Sequence, residues 1–495
     1  MQIYFLLFFR NHIKSIKEKI TKLKSSSAPG PDKICPRVLQ ALVDKICLPL
    51  SIIYECSFKE GIVPVEWKQA NVTPVFKKGS KSVAGNYRPV SLTCILCKVM
   101  ESIVKDDIVE HLADNKLINP SQHGFMAHKS CLTNLLEYLE CLTKLVDEGH
   151  SVDVVYLDFA KAFDKVPHQR LLLKMKAHGI TGMVLKWVEA WLEGRQQRVV
   201  LNGKASEWAP VDADDTKVGK IVSDDDDRKA MQENLDRLVA WTDTWQMQFN
   251  ASKCKVLHFG KRNPGFCYTM GGHAPAGTVL ESVDEEKDIG IIVSTNLKPS
   301  SHCAKAAKKA NQVLGQMARS LHYRDKITWI NLFKIYVRST LECSVQAWSP
   351  WTQADIDILE SVQKRALRMV SGLQGKTYEE RLLEVGLISL EDRRKRGDMI
   401  EVWKILHGEE DVEASTWFTM ANQATIRATR NTSDSLNLSQ PNWSNLFRKN
   451  FFSVRCVEQW NNLPSGLKSS SDINMFKNNY DSLFHTKKTI IVQLV

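Results

Sequence analysis

The run Val152–Phe159 (VDVVYLDF) constrains this chain more than any other stretch. It is rich in β-branched and aromatic residues and nearly free of charge until Asp158, the pattern of a buried strand with a carboxylate at its end. Leu132, Leu135, Leu136, Leu139, Leu142 and Leu145 precede it at helical spacing, and Gly149 is a natural stop for that helix. A carboxylate leaving a buried strand is costly unless a cation or hydrogen bonds stabilise it. Asp158 is therefore the first residue to which chemistry is assigned.

Composition narrows the class. The 495 residues carry 67 Lys plus Arg against 56 Asp plus Glu, a net charge of +11, with 43% apolar and 25% charged residues. This excludes a disordered, collagen-like or coiled-coil chain and allows roughly two to four domains. The cationic surplus suits a polyanionic partner such as nucleic acid. Twelve scattered cysteines do not make a disulfide framework, and most of them sit in apolar helical patterns, so a reducing, intracellular setting (nucleus or cytoplasm, not secreted) is expected. Cys94 and Cys97 form the only CxxC, with no second pair at zinc-site spacing, so helix packing is the reading there. Ile3 to Phe9 (IYFLLFF) is too short for a membrane span and lacks a preceding basic residue, so no membrane partner is expected.

Along the chain, Ile13, Ile16, Ile20 and Leu23 mark a basic amphipathic helix that Ser25 to Pro31 (SSSAPGP) ends. WKQANVTPVFKKG and NYRPVSL read as a hairpin carrying Lys77, Lys78, Lys81 and Arg88. Two helices follow Pro167, the second with Trp187 and Trp191 one turn apart, and QQRVVLNGKASEW reads as a further hairpin turning at Asn202-Gly203. A helix over Arg228–Trp245 and a short strand Lys255–Phe259 come next, with helices after residue 298: His302–Tyr323, Ile327–Leu341 and Asp355–Val370. Lys305, Lys308, Lys309, Lys364, Arg365 and Arg368 lie on the outer sides of two of these, a solvated face or one suited to a duplex backbone. The last stretch is polar and weakly patterned.

A second acidic site, Asp214 with Asp215 (DADDTKVG), needs the same compensation as Asp158. One arrangement satisfies both: a strand end facing a tight hairpin, three carboxylates holding two divalent ions roughly 3.5 to 4 Å apart. An all-oxygen ligand set and phosphate chemistry point to Mg²⁺. Asp224 to Asp227 (DDDD) is by contrast a solvated loop or a helix N-terminus.

The motif order SSAPGPDKI, WKQANVTPVFKKG with NYRPVSL, INPSQHGFMAHKSC, VVYLDFAKAFDKVPH, ADDTKVG, FNASKCKVLHFG and EEKDIGIIV resembles the reverse transcriptases of non-LTR, LINE-type, jockey-like retrotransposons. The resemblance runs from about residue 16 to the C-terminus. It implies an α+β right-hand polymerase of fingers, palm and thumb, with RNA template, DNA primer and deoxynucleoside triphosphates as partners and two Mg²⁺ ions as cofactors. It makes Asp158, Asp214 and Asp215 the metal ligands. Phe163 is similar to the aromatic gate that rejects a ribose 2′-hydroxyl, its plain alternative being a core phenylalanine. Lys77, Lys78 and Arg88 resemble the finger residues that hold the triphosphate. Lys253 resembles the lysine near the leaving pyrophosphate, or is simply solvated.

The chain departs from the family between Val211 and Asp212. There the family's Pro-Gln-Gly loop, the helix after it and an apolar strand are missing, and Asp212 stands where the family has an aromatic residue. The lost strand is the first arm of the hairpin that would aim Asp214 at Asp158. Each large apolar side chain lost from the palm core removes roughly 1.5 to 3 kcal/mol, against a whole-domain stability of about 5 to 15 kcal/mol. The expected layout is thus a basic helix over 1–24, fingers and a truncated palm over 25–297, a helical thumb-like region over 298–410 and a weakly structured C-terminal extension over 411–495. No room is expected for the family's endonuclease before residue 16. The expected function is an RNA-directed DNA polymerase of impaired competence. The alternatives are a non-catalytic nucleic-acid-binding remnant and an unstable decayed product.

Overall fold

The computed structural model describes residues 12–77, 79–83, 86–159, 166–201, 203–208, 218–221, 225–247, 249–271, 277–421 and 436–493. It is a mixed α and β protein that divides into two compact units, each assembled from separate stretches of chain. One comprises residues 1–119, 158–216 and 237–250, and the other 120–157, 217–236 and 251–495.

The first unit holds a four-stranded sheet and a cluster of helices with its own apolar core. Strands β1 (Gln69–Phe76) and β2 (Tyr87–Thr93) pair antiparallel. Strand β3 (Val152–Tyr156), described below, belongs to the other unit; β4 (Gln196–Leu201) lies parallel to β1, and β5 (Lys204–Ala205) closes the sheet in the order β2-β1-β4-β5. Pro74 and Pro89 face each other across β1 and β2, beyond the four residues that β4 pairs with, so neither removes a needed ladder donor. In this unit the helix His12–Thr21 buries Ile16 and Ile20 against the helices Val43–Glu60 and Ile95–Asp114, and the helix Gly182–Leu192 packs on Val43–Glu60 in the same core. The Tyr54 hydroxyl donates to Leu96 O at 2.7 Å and the Trp187 indole to Ser57 Oγ at 3.1 Å, so both large rings are buried with their polar atoms satisfied. Within SSSAPGP, a Cβ on Gly30 would come 2.5 Å from the Thr93 carbonyl carbon. Only glycine lets that loop lie on the end of β2.

The second unit is built on a sheet of order β10-β7-β3-β6, with β6 (Val218–Ile221), β7 (Lys255–Phe259) and β10 (Glu281–Ser282). All five residues of β3 are buried, as the apolar run requires, between β6 and β7, both antiparallel to it. The helix Cys131–Asp147, opened by a Ser130/Thr133 capping box, lays Leu135, Leu136, Leu139 and Leu142 into one core with Val152, Val154 and Tyr156. Two hairpin-like pairs flank the sheet in sequence, β8 (Thr269–Met270) with β9 (Thr278–Val279) and β11 (Glu285–Asp288) with β12 (Ile291–Ser294). The β11–β12 turn holds Ile289 at φ 41° and Gly290 at φ 100°, the left-handed geometry of a two-residue hairpin turn.

Helices then dominate: Ser300–Ser320, Gln353–Arg368, Tyr378–Val385 and Leu390–Leu406. The helix expected over Ile327–Leu341 is instead three joined pieces, Lys326–Leu332, a π-helical stretch Phe333–Arg338 and Ser339–Glu342. The buried residues Phe333, Val337 and Leu341 recur every four positions. That spacing exceeds the 3.6 of an α-turn, so a local widening keeps them on one face. In the polar C-terminal stretch, the helices Phe452–Asn461 and Ile473–Gln493 bury Phe452, Trp460 and Phe476 in the same core. Only six of the twelve cysteines are buried, not most of them; Cys56 and Cys141, for example, lie on outward helix faces. Among the described residues no helix is long and apolar enough to cross a membrane.

Candidate active site

Asp158 follows β3 after the buried Leu157 and is itself half-buried. Its backbone carbonyl accepts the Asn250 N–H at 2.6 Å. The next residue, Phe159, forms an antiparallel bridge with Phe249, their rings stacked at 4.5 Å and 11°. The motif FNASK therefore holds the backbone at Asp158 and directly after it. Sequence reasoning singled out the lysine of that motif and missed its Phe249 and Asn250; the signal was present in the text, in an aromatic residue and a turn former directly before a short strand. Lys253 ends the one-turn helix Ala251–Lys253 ahead of β7 and is exposed.

Asp214 and Asp215 lie outside the described residues, as do Phe163, Lys78 and the Val211–Asp212 junction. Strand β6, which begins three residues after Asp215, is described, and it pairs with β3 in the register Val155↔Val218 through Val152↔Ile221. Among the described residues β6 has no second strand partner. Nor does any group of three or more His, Cys, Asp or Glu among them stand ready to hold a metal ion.

The cationic hairpin has a definite geometry. Val75 opposes Arg88, and the Lys77 N–H continues the ladder to Asn86 O at 2.8 Å. Cross-strand partners share a face and so do alternate residues on one strand, which puts Lys77 and Arg88 on the same face as diagonal neighbours. Both are exposed. At the same end, Phe76 and Tyr87 meet edge to face at 5.4 Å, and Lys81 Nζ sits 5.9 Å from the Phe76 ring.

In the second unit, Lys305, Lys308, Lys309, Arg365 and Arg368 are exposed on the helices Ser300–Ser320 and Gln353–Arg368. Arg365 reaches across to Asn311 Oδ1 at 3.0 Å. The two helices thus present one basic face.

Comparison with known proteins agrees with the motif order. Residues 75–211 match the family described as reverse transcriptase (RNA-dependent DNA polymerase), and the match ends at Val211, where the motif text breaks. The chain is 24% identical over 405 residues to the RNA-directed DNA polymerase from mobile element jockey of Drosophila melanogaster, covering 73% of this chain and 44% of that protein. It is 22% identical over 410 residues to the probable RNA-directed DNA polymerase from transposon BS of the same organism, covering 72% and 44%. The Pol polyprotein of the type-1 element R1 from Bradysia coprophila is 24% identical over 349 residues, covering 61% and 33%. The chain spans less than half the length of these relatives. Residues 75–211 thus carry a reverse transcriptase domain, and along most of its length the chain is similar to RNA-directed DNA polymerases of non-LTR, LINE-type retrotransposons.

Proposed function

We propose that the chain is the polymerase portion of a retroelement protein, built for two-metal nucleotidyl transfer to a primer 3′-hydroxyl and impaired as written by the break at residues 211–212. The observation that carries this reading is the β3–β6 ladder. Asp158 lies three residues beyond Val155 and Asp215 three residues before Val218, so a ladder continued in that register would oppose the two carboxylates. Asp158, Asp214 and Asp215 would hold Mg²⁺, which an all-oxygen donor set at a half-buried strand end suits. When bound, such ions neutralise charge on the triphosphate and the attacking oxygen. The protein's own part would be positioning: the Phe159–Phe249 stack and the Asn250 bond fix the backbone at Asp158, and the resemblance assigns Lys77, Lys78 and Arg88 to the triphosphate, Lys253 to the pyrophosphate and Phe163 to the sugar.

In this reading the β1–β2 hairpin belongs to the fingers, the β10-β7-β3-β6 sheet to the palm, and the helices of 298–410 to the thumb. The missing first hairpin arm would pair with the edge of β6 that has no strand partner among the described residues, so its loss would remove the support of the segment carrying Asp214 and Asp215. Primer extension on an RNA template with Mg²⁺ tests the proposal. Little or no incorporation is expected from the chain as written, and incorporation from a version with the loop, helix and strand restored, abolished by Asp158→Ala. Strong incorporation by the unrestored chain would refute the impairment, and none after restoration would refute the assignment of the site. The basic face of Lys305, Lys308, Lys309, Arg365 and Arg368 favours a second reading, a nucleic-acid-binding remnant. It predicts duplex binding that weakens steeply with salt and no nucleotide incorporation in either form.

A further inference from the structure

One carboxylate in the second unit has no part in polymerase chemistry. Asp153, in the middle of β3, is fully buried at 0% exposure. A buried charge persists only where donors compensate it, and three do. His258 Nδ1 lies 2.6 Å and Asn263 Nδ2 2.7 Å from Oδ1, and the Tyr268 hydroxyl donates to Oδ2 at 2.6 Å. Burial and the adjacent Asp153 charge push the Tyr268 phenol far up, so it remains a donor throughout the ordinary pH range.

This network fixes the histidine. A carboxylate only accepts, so the Nδ1 facing it carries the hydrogen, and Nε2 is left as an acceptor. Nε2 lies 3.1 Å from Ser282 Oγ. The three residues come from three adjacent strands: Asp153 on β3 opposes His258 on β7, and Ser282 on β10 pairs with Val256, two residues from His258 and on its face. Exposure rises across them, from 0% for Asp153 to 16% for the His258 side chain and a solvent-exposed Ser282 on the edge strand. A buried acid, a mostly covered base and an accessible hydroxyl, joined by these two contacts, are what activates a serine.

We propose that Asp153, His258 and Ser282 form an esterase-type triad in which Ser282 accepts the acyl group of small carboxylic esters. Ser282 Oγ bonds to the ester carbonyl carbon as its proton passes to His258 Nε2. The carbon–alkoxide bond then breaks, and the leaving oxygen takes that proton. Water attacks the acyl-serine, giving a proton to Nε2; the acid departs and Ser282 Oγ recovers its hydrogen. Asp153 is the positioning residue, holding the tautomer and orientation of His258.

The probes are a fluorophosphonate, which bonds to an activated serine with loss of fluoride, and p-nitrophenyl acetate. With the full chain, mass spectrometry is expected to map the label to Ser282, and Ser282→Ala to lose both the label and ester hydrolysis at unchanged melting temperature. His258→Gln keeps a donor toward Asp153 but no base, so labelling slows by about 10²-fold or more, and Asp153→Asn slows it through the wrong tautomer. Asp158→Ala labels normally, which separates this site from the polymerase reading. Absence of label on Ser282 in the unaltered chain, or an equal rate in a folded His258→Gln chain, would overturn the proposal.

Discussion

His302 shows how a single buried side chain ties stability to pH. It sits at the start of the helix Ser300–Ser320, where Nδ1 accepts the Ile292 N–H at 3.1 Å and the ring meets Trp348 edge to face at 4.4 Å. Burial lowers its pKa to about 4, and Lys305 and Lys287 push it the same way. The neutral ring is thus built into the fold, while the unfolded chain takes up a proton near pH 6.5. Its contribution is complete above about pH 6.5 and is lost as pH falls from there toward 4. In urea titrations the unaltered chain should lose more stability between pH 7 and pH 5 than His302→Gln, which keeps an acceptor but does not titrate. Nothing in the local sequence SSHCAK announced this residue, because its role depends on a β-strand that reaches it only after folding.

At the scale of elements, the β1–β2 hairpin turns sequence spacing into a cationic face. The reading of WKQANVTPVFKKG with NYRPVSL as a cationic hairpin agrees with the observed pairing, since alternation and turn residues are local signals. Replacing Lys77 and Arg88 with glutamate should weaken binding of a fluorescent deoxynucleoside triphosphate by about tenfold or more, because charge-assisted bonds become repulsions. Both side chains are exposed, so the melting temperature should stay where it is. Unchanged triphosphate affinity would remove the hairpin from the nucleotide site. The parallel partner of β1 was not legible. Its pairing with β4 joins residues more than 120 positions apart, Gln69 to Gln196, and no local pattern encodes such a register.

At the scale of the whole molecule, long-range polar contacts tie the C-terminal stretch into the second unit. Arg448 grips Glu140 with two hydrogen bonds of 2.9 and 2.5 Å, Ser453 donates to the same carboxylate, and all three are buried. Asp147, on the same helix, accepts the backbone N–H groups of Ser444 and Asn445. Arg448→Met would strand the Glu140 charge, at a cost of about 3–5 kcal/mol, read as a lowered urea midpoint of the full chain. Pairing it with Glu140→Leu should return most of that stability. A small effect of Arg448→Met alone would show the C-terminal stretch to be a dispensable appendage.

The sequence by itself carried the resemblance to reverse transcriptases and most of the described helices and strands, because motif order, apolar periodicity and turn residues are written locally. Val152–Phe159 announced both a buried strand and the carboxylate leaving it. Tertiary structure alone decided that FNASK holds the backbone at Asp158 and Phe159 through Phe249 and Asn250, that β6 lies beside β3 in the register Val155↔Val218, and that Asp153, His258 and Ser282 meet across three strands. Each of these joins residues dozens to more than a hundred positions apart. Such contacts follow from burying apolar surface and satisfying buried polar groups over the whole chain, and a local stretch of text carries neither condition.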